Sequence, residues 1–197
     1  MKRLDGKVAI VTGAGRGIGG TVAHFLAREG ARVAVSDISA DAAKETVAFL
    51  AARGLDAVAL HGSATSEDDV ARIVAETVRH YGQVDIAFNM AGKVHWCPVV
   101  DMDLTQWTEA VTSFPTAGML TTKHVARAMI AKGRGGSIIH LLSTAAHFGE
   151  ASGAAYCAAA TARRFGAAAM RFFFSASARR KASSSAWLAL SRGSQCV

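Results

Sequence analysis

Only three cysteines occur in 197 residues, Cys97, Cys157 and Cys196, and no C-x-x-C pair is among them. An odd number so widely spread excludes a disulfide scaffold and offers no zinc spacing, so a reducing, cytoplasmic setting is expected. No run of about 18 apolar residues exists, which excludes a membrane-spanning helix. Residues 1–7 run directly into Val8-Ala9-Ile10-Val11 without a separate apolar segment and cleavage site, so no secretory signal is expected. The histidines (His24, His61, His80, His95, His124, His140 and His147) include no H-x-x-x-H pair, and no metal site is expected. Acidic residues stop at Glu150. Residues 151–197 hold seven Lys and Arg and no acid, whereas residues 1–150 hold 15 of each sign, so the net charge of +7 belongs to the tail. A neutral body argues against nucleic acid as a partner. A salt-sensitive contact of the tail with nucleic acid or anionic lipid is a separate, minor reading.

What is present is a chain that can build a core: 51% of residues are apolar and 19% charged, in a length that suits one domain. Val8-Ala9-Ile10-Val11 is a continuous apolar run of the kind that forms a strand buried on both faces. Helical spacing follows over residues 21–28 and stops at Gly30. Further strands are expected at 32–35, 57–60, 84–88 and 137–142, with helices at 40–53, from Ser66 to Gly82, and at about 105–132. Regular alternation of strand and helix predicts an α/β fold, a parallel sheet covered by helices on both faces.

Thr12-Gly13-Ala14-Gly15-Arg16-Gly17-Ile18-Gly19 falls between the first strand and the first helix. Glycines permit a tight turn and let backbone N–H groups approach a pyrophosphate at the positive end of a helix. Asp37 ends the second strand, 18 positions past Gly19. A carboxylate there would accept hydrogen bonds from the adenosine ribose hydroxyls and repel a 2′-phosphate, which favours NAD over NADP. Gly13, Arg16, Gly17, Ile18, Gly19 and Asp37 are thus the expected cofactor-binding residues of this half.

The spacing T-G-x-x-x-G-x-G resembles that of the short-chain dehydrogenase/reductase family. So do Asn89-Met90-Ala91-Gly92 after the fourth strand, and Ser143 followed 13 residues later by Tyr156. The resemblance covers residues 4–160. It implies a Rossmann-like doubly wound parallel sheet, NAD as cofactor, and a homo-oligomer built through the long helix and the helix of Tyr156. It also implies that Asn89 braces the sheet while Ala91 and Gly92 pass beside the cofactor, and that Ser143 and Tyr156 are catalytic. Hydride transfer at a carbonyl carbon needs a proton at its oxygen, which a tyrosine can carry while a serine hydroxyl holds the same oxygen. The expected substrate is a small secondary alcohol or ketone, with His95, Trp96 and His147 lining its pocket.

The sequence departs from the family pattern at several positions. Where the family has a lysine four residues after the tyrosine, lowering its pKa and holding the nicotinamide ribose, this chain has Ala160. Arg163 and Arg164 follow seven and eight positions after Tyr156, about 11–12 Å along a helix axis and by that measure out of reach. Phe114 stands where the family's proton-relay Asn is expected, and Ser63-Ala64 replaces the Asp-Val that contacts adenine. Pro115 removes a backbone donor inside the long helix and is expected to kink it. Past about Thr161 no strand–helix unit continues: there is no sixth strand, no Pro-Gly turn and no substrate lid. The expected organisation is a dinucleotide-binding domain with Ser and Tyr over residues 1–160, truncated or altered after the fifth strand, then a basic Ala/Ser/Arg-rich tail at 161–197. Motif and composition break together, which points to a segment out of frame or otherwise replaced. A Val-Asn-x-x-x-Pro-Gly-like run in another reading frame of the coding DNA would bear on that. The function expected is impaired NAD-dependent oxidoreduction; the alternative is a catalytically inactive NAD-binding homologue.

Overall fold

The computed structural model describes residues 2–133 and 135–170; most of the basic tail, and Cys196 with it, lies outside them. The chain alternates β1 (Val8–Thr12), α1 (Gly17–Arg28), β2 (Arg32–Asp37), α2 (Ala40–Ala51), β3 (Ala57–His61), α3 (Glu67–Tyr81), β4 (Ile86–Asn89), α4 (Leu104–Ala131), β5 (Ser137–His140) and α5 (Ala154–Met170). Short 3-10 turns occur at Val99–Asp101 and Thr144–Ala146. The five strands form one parallel sheet in the order β3-β2-β1-β4-β5. Strand order reverses between β1 and β4, and ligands of such sheets bind at the carboxyl ends beside that reversal.

Side chains along β1 alternate between two cores, as the strand period of two requires. Ala9 and Val11 join Val33, Val35, Ala23, Ala27, Ala43 and Leu50 beneath α1 and α2. Ile10 faces the other way, onto Leu60, Ile73, Val74, Val125 and Met129 beneath α3 and α4. Every residue of β1 is buried. β5 is different: its residues alternate between exposed and half-buried, and Ile139 retains 42% of its surface.

Three helix starts are capped by side chains. Ser39, Ser66 and Asp103 accept from the backbone amides of Ala42, Asp69 and Gln106 at the starts of α2, α3 and α4. α3 adds Glu67, Asp68 and Asp69 to its positive first turn and ends on Gly82 in the left-handed conformation. α4 runs as one 28-residue helix through Pro115, so the missing amide costs one internal bond without ending the element. The fourth strand opens at Ile86 rather than residue 84: Asp85 before it turns its carboxylate onto the Val8 amide at 2.9 Å. The fifth stops at His140, two residues short of the expected end. α5 continues across residue 160 to Met170.

Candidate active site

The glycine loop leaves β1 and enters α1, whose start has no side-chain cap and no acid in its first turn. Its first amides are therefore free of the partners that close α2, α3 and α4, as an anion-binding helix start requires. Two glycines are fixed by sterics. A Cβ on Gly19 would lie 2.0 Å from the Gly13 carbonyl oxygen, and one on Gly15 would lie 2.7 Å from Ala42 Cβ and 2.8 Å from Asp37 Cγ. Gly13 and Gly17 have φ of +65° and +58°. Arg16 is exposed, and Ile18 retains 55% of its surface beside the loop. Asp37 braces this turn: Oδ2 accepts from the Gly15 amide at 2.8 Å and Oδ1 from the Ser39 amide at 2.9 Å. A carboxylate has about four acceptor positions, so capacity remains for ribose hydroxyls.

The second half of the site gathers at the carboxyl ends of β4 and β5. Asn89 is fully buried. Its Oδ1 accepts from Thr12 Oγ1 at 2.9 Å and from Arg163 Nη2 at 3.1 Å, and its Nδ2 donates to Thr121 Oγ1 at 3.5 Å. The side chain thus ties β4 to β1, α4 and α5. Ala91 and Gly92 continue past the loop: a Cβ on Gly13 would come within 3.2 Å of the Ala91 amide nitrogen, and one on Gly92 would strike the Phe114 ring at 2.7 Å. Ser143 Oγ accepts from the Ala145 amide at 3.1 Å, which leaves its O–H to donate elsewhere. Tyr156 sits against Trp96 and Phe114, with ring centroids 5.3 and 5.6 Å apart. Ser143 and Tyr156 open onto one narrow cleft of about 80 Å³, whose wall includes Gly92, Phe114, Ala160 and Arg163.

A short-chain dehydrogenase family model matches residues 7–172. The chain belongs to that family. It is 40% identical over 156 residues to a sorbitol dehydrogenase of Cereibacter sphaeroides, covering 79% of this chain and 60% of that one. It is 35% identical over 159 residues to a D-threitol dehydrogenase of Mycolicibacterium smegmatis, again covering 79% and 60%. Among solved structures it is similar to a 7α-hydroxysteroid dehydrogenase complexed with NADH and 7-oxo glycochenodeoxycholic acid. There the TM-score is 0.77 at 35% identity, over 83% of this chain and 63% of that one. The chain thus spans about 60% of the length of these curated relatives.

The largest difference from the sequence reading of this short-chain dehydrogenase is Arg163. Distance along the helix axis put it out of reach, yet it lines the cleft with Tyr156. Seven residues are two turns, so both side chains leave one face of α5, and long helical side chains lean toward the N-terminus. Only 3% of Arg163 is exposed. Nη1 donates to the Leu141 carbonyl at 3.3 Å, Nη2 also to the Ala91 carbonyl at 2.5 Å, and the guanidinium lies 4.9 Å from the Phe114 centroid. Burial pushes its pKa down to about 10, which Tyr156 partly opposes.

His140 is the other residue the sequence reading passed over. Its Nε2 lies 3.1 Å from Thr122 Oγ1, and burial, aided by the Arg163 charge, pushes its pKa down to about 4. Of the expected pocket residues only Trp96 leans on Tyr156. His95 Nε2 lies 3.0 Å from Glu109, which also binds Lys93, and His147 rests against Phe148. The Lys93 and His95 bonds hold the Glu109 carboxyl below the usual range. A wider open groove of about 380 Å³ along α4 is lined by Leu104, Thr105, Thr108, Glu109 and Thr112, with no tyrosine in its wall. Among the described residues no three His, Cys, Asp or Glu come together as a metal site, and no helix is long and apolar enough to cross a membrane.

Proposed function

We propose that the chain binds NAD(H) and transfers a hydride between it and a small secondary alcohol or ketone, at a rate limited by alanine at position 160. The observation that carries this is the shared cleft of Ser143 and Tyr156 beside an uncapped, glycine-lined helix start. The residues fit the cofactor. Gly13, Arg16, Gly17, Ile18 and Gly19 would meet the pyrophosphate, and Asp37 would take the adenosine ribose and disfavour a 2′-phosphate. Ala91 and Gly92 would border the nicotinamide end. When bound, the nicotinamide ring supplies the carbon that gives or accepts hydride. The Ser143 hydroxyl donates to the substrate oxygen and fixes its position. Tyr156 takes the proton from that oxygen in oxidation and returns it in reduction, a contribution of roughly 10²–10⁴-fold when well positioned. Trp96 and Phe114 pack against the Tyr156 ring and hold its orientation. The polyol dehydrogenases among the relatives make small polyols the first substrates to try.

A reducing, cytoplasmic setting is part of this proposal and rests on the few, widely spaced cysteines of the sequence. Self-association would use the apolar residues that α4 leaves exposed, among them Leu104, Met119 and Ile130.

The test is calorimetry with NAD together with a turnover assay on secondary alcohols and polyols, for the parent and for Ala160→Lys. Binding with slow turnover that the lysine accelerates supports the proposal. No heat at millimolar NAD removes the cofactor assignment. Binding without turnover in either protein selects the second reading, a nucleotide-binding homologue without catalysis, which the absence of a lysine at 160 favours.

A further inference from the structure

We propose that Arg163 supplies the Tyr156–Ser143 cleft with the positive charge that Ala160 cannot, acting as a positioning residue one helical turn further along α5. The role rests on the reading of Tyr156 as the proton carrier. The charge relation between the two side chains is open to test without it.

Tyr156, Ala160 and Arg163 all line the same cleft from α5, and Ala160 is only 2% exposed. Taking a charge out of water costs several kcal/mol, so a buried guanidinium is normally paired with an acid. Here it is held by neutral oxygens alone: Leu141 O, Ala91 O and Asn89 Oδ1. None of the ion pairs among the described residues involves Arg163. Its charge is solvated by carbonyl dipoles but not cancelled, and in a low-dielectric cleft it acts on whatever faces it.

What faces it is chiefly Tyr156. Both side chains lie against Phe114, the guanidinium at 4.9 Å and the phenol ring at 5.6 Å. The other walls bring no competing charge among the described residues. The β4 loop contributes Met90, Gly92 and Val94, α4 contributes Phe114, and the end of β5 contributes Leu141, Leu142 and Ser143. His140, reaching Arg163 from β5, is held neutral near pH 7 by burial. A cation so placed favours the phenolate that forms whenever Tyr156 gives up its proton. Arg163 is also held in place, because both of its Nη atoms donate to the backbone and Asn89 that shape the cleft. It therefore supplies charge without a free ammonium to hold a ribose.

The two functions of a lysine at 160 are thereby separated. Ala160→Lys in the parent should raise cofactor affinity as well as turnover, whereas loss of Arg163 should lower kcat with little effect on KM.

The decisive measurement is ultraviolet titration of tyrosinate. The chain has two tyrosines. Burial and the bond to Asp56 hold the Tyr81 phenol far above the usual range, and Tyr156→Phe shows by its loss which step belongs to Tyr156. Arg163→Gln should move that step up by about one pH unit. Arg163→Lys should leave most of it in place, and Ala160→Lys combined with Arg163→Gln should bring it back. A step that stays put in Arg163→Gln overturns the proposal. If that variant does not fold, Arg163→Met is titrated in its place, and a step that stays put there means that Arg163 is a brace only. Turnover measured in parallel separates the two ideas: a parent without turnover refutes the proposed reaction, while the titration still decides the charge.

Discussion

The two halves of the site are built on different principles. The half proposed to bind the dinucleotide lies within residues 12–37 and is made of backbone: a turn with glycines at positive φ, an uncapped helix start and one carboxylate that ties the turn to β2. The half proposed to handle the proton is drawn from β4, α4, β5 and α5, and is made of side chains that meet at Asn89, Phe114 and Arg163. Backbone geometry leaves little room for substitution where an added Cβ meets another stretch of main chain, as at Gly13 and Gly19. A side-chain assembly can be rewired, and the role proposed for Arg163 beside Ala160 would be such a case.

The sharpest way to break this contrast is Gly19→Ala. The new Cβ would sit 2.0 Å from the Gly13 carbonyl oxygen, a contact that only main-chain movement can relieve. Overpacking of this kind costs about 3 kcal/mol or more. In a chain of this size that is a fall of roughly 6–12 °C in Tm, with loss of NAD binding. Circular-dichroism melting and calorimetry check both, and a variant that melts and binds like the parent would end the claim that this loop is sterically fixed. Asn89→Ala probes the other half. It strands the Thr12 hydroxyl and one Arg163 donor in a buried site, at a cost of about 2–3 kcal/mol. Because the damage falls on side chains, NAD affinity should fall less than melting temperature, a ratio opposite to that of Gly19→Ala.

The same division decides what could be read from sequence. The sheet, its parallel connections, the glycine loop and Asp37 follow from contiguous signals: apolar runs, glycine spacing, and an acid at the end of a strand. Pairing Ser143 with Tyr156 rested on the resemblance to the family, which this separation of 13 residues matches. Arg163 was legible in principle, since an offset of seven returns to the same helix face, but axial distance ignores how far an arginine reaches back. That Asn89 would be spent on Thr12, Thr121 and Arg163 depends on contacts 32 to 77 residues apart, which no local pattern records. Pro115 illustrates the converse. A residue that commonly ends helices stands inside α4, and α4 nevertheless continues through it as one element.

A smaller effect isolates the edge of the proton-handling half. His140 titrates near 6.5 when unfolded and at about 4 in the folded protein. Below pH 6.5 the unfolded chain binds a proton that the native state refuses, so stability falls as pH drops from about 6.5 to about 4 and levels off beneath. With its partial contact with solvent taken into account, the loss is about 1–2 kcal/mol. His140→Gln, which can keep a hydrogen bond to Thr122, should flatten the melting profile across that window. Equal slopes in parent and variant would mean that His140 charges freely in the native state.

The smallest effect is the mirror image of the first. Gly118 lies inside α4, and a Cβ there would meet His140 Nδ1 at 3.5 Å and Arg163 Nε at 3.9 Å, both ordinary contact distances. Alanine is a better helix former than glycine by up to about 1 kcal/mol, so Gly118→Ala should raise Tm by about 2 °C. One added methyl group is thus ruinous at Gly19 and mildly favourable at Gly118, although both glycines are buried. The deciding factor is the neighbour, a main-chain carbonyl in one case and the flanks of two side chains in the other. His140 Nδ1 and Arg163 Nε have no hydrogen-bond partner among the described residues. A fall in Tm for Gly118→Ala would therefore mean that a bridging molecule is displaced from between them, and the proton-handling half would be as tightly filled as the glycine loop.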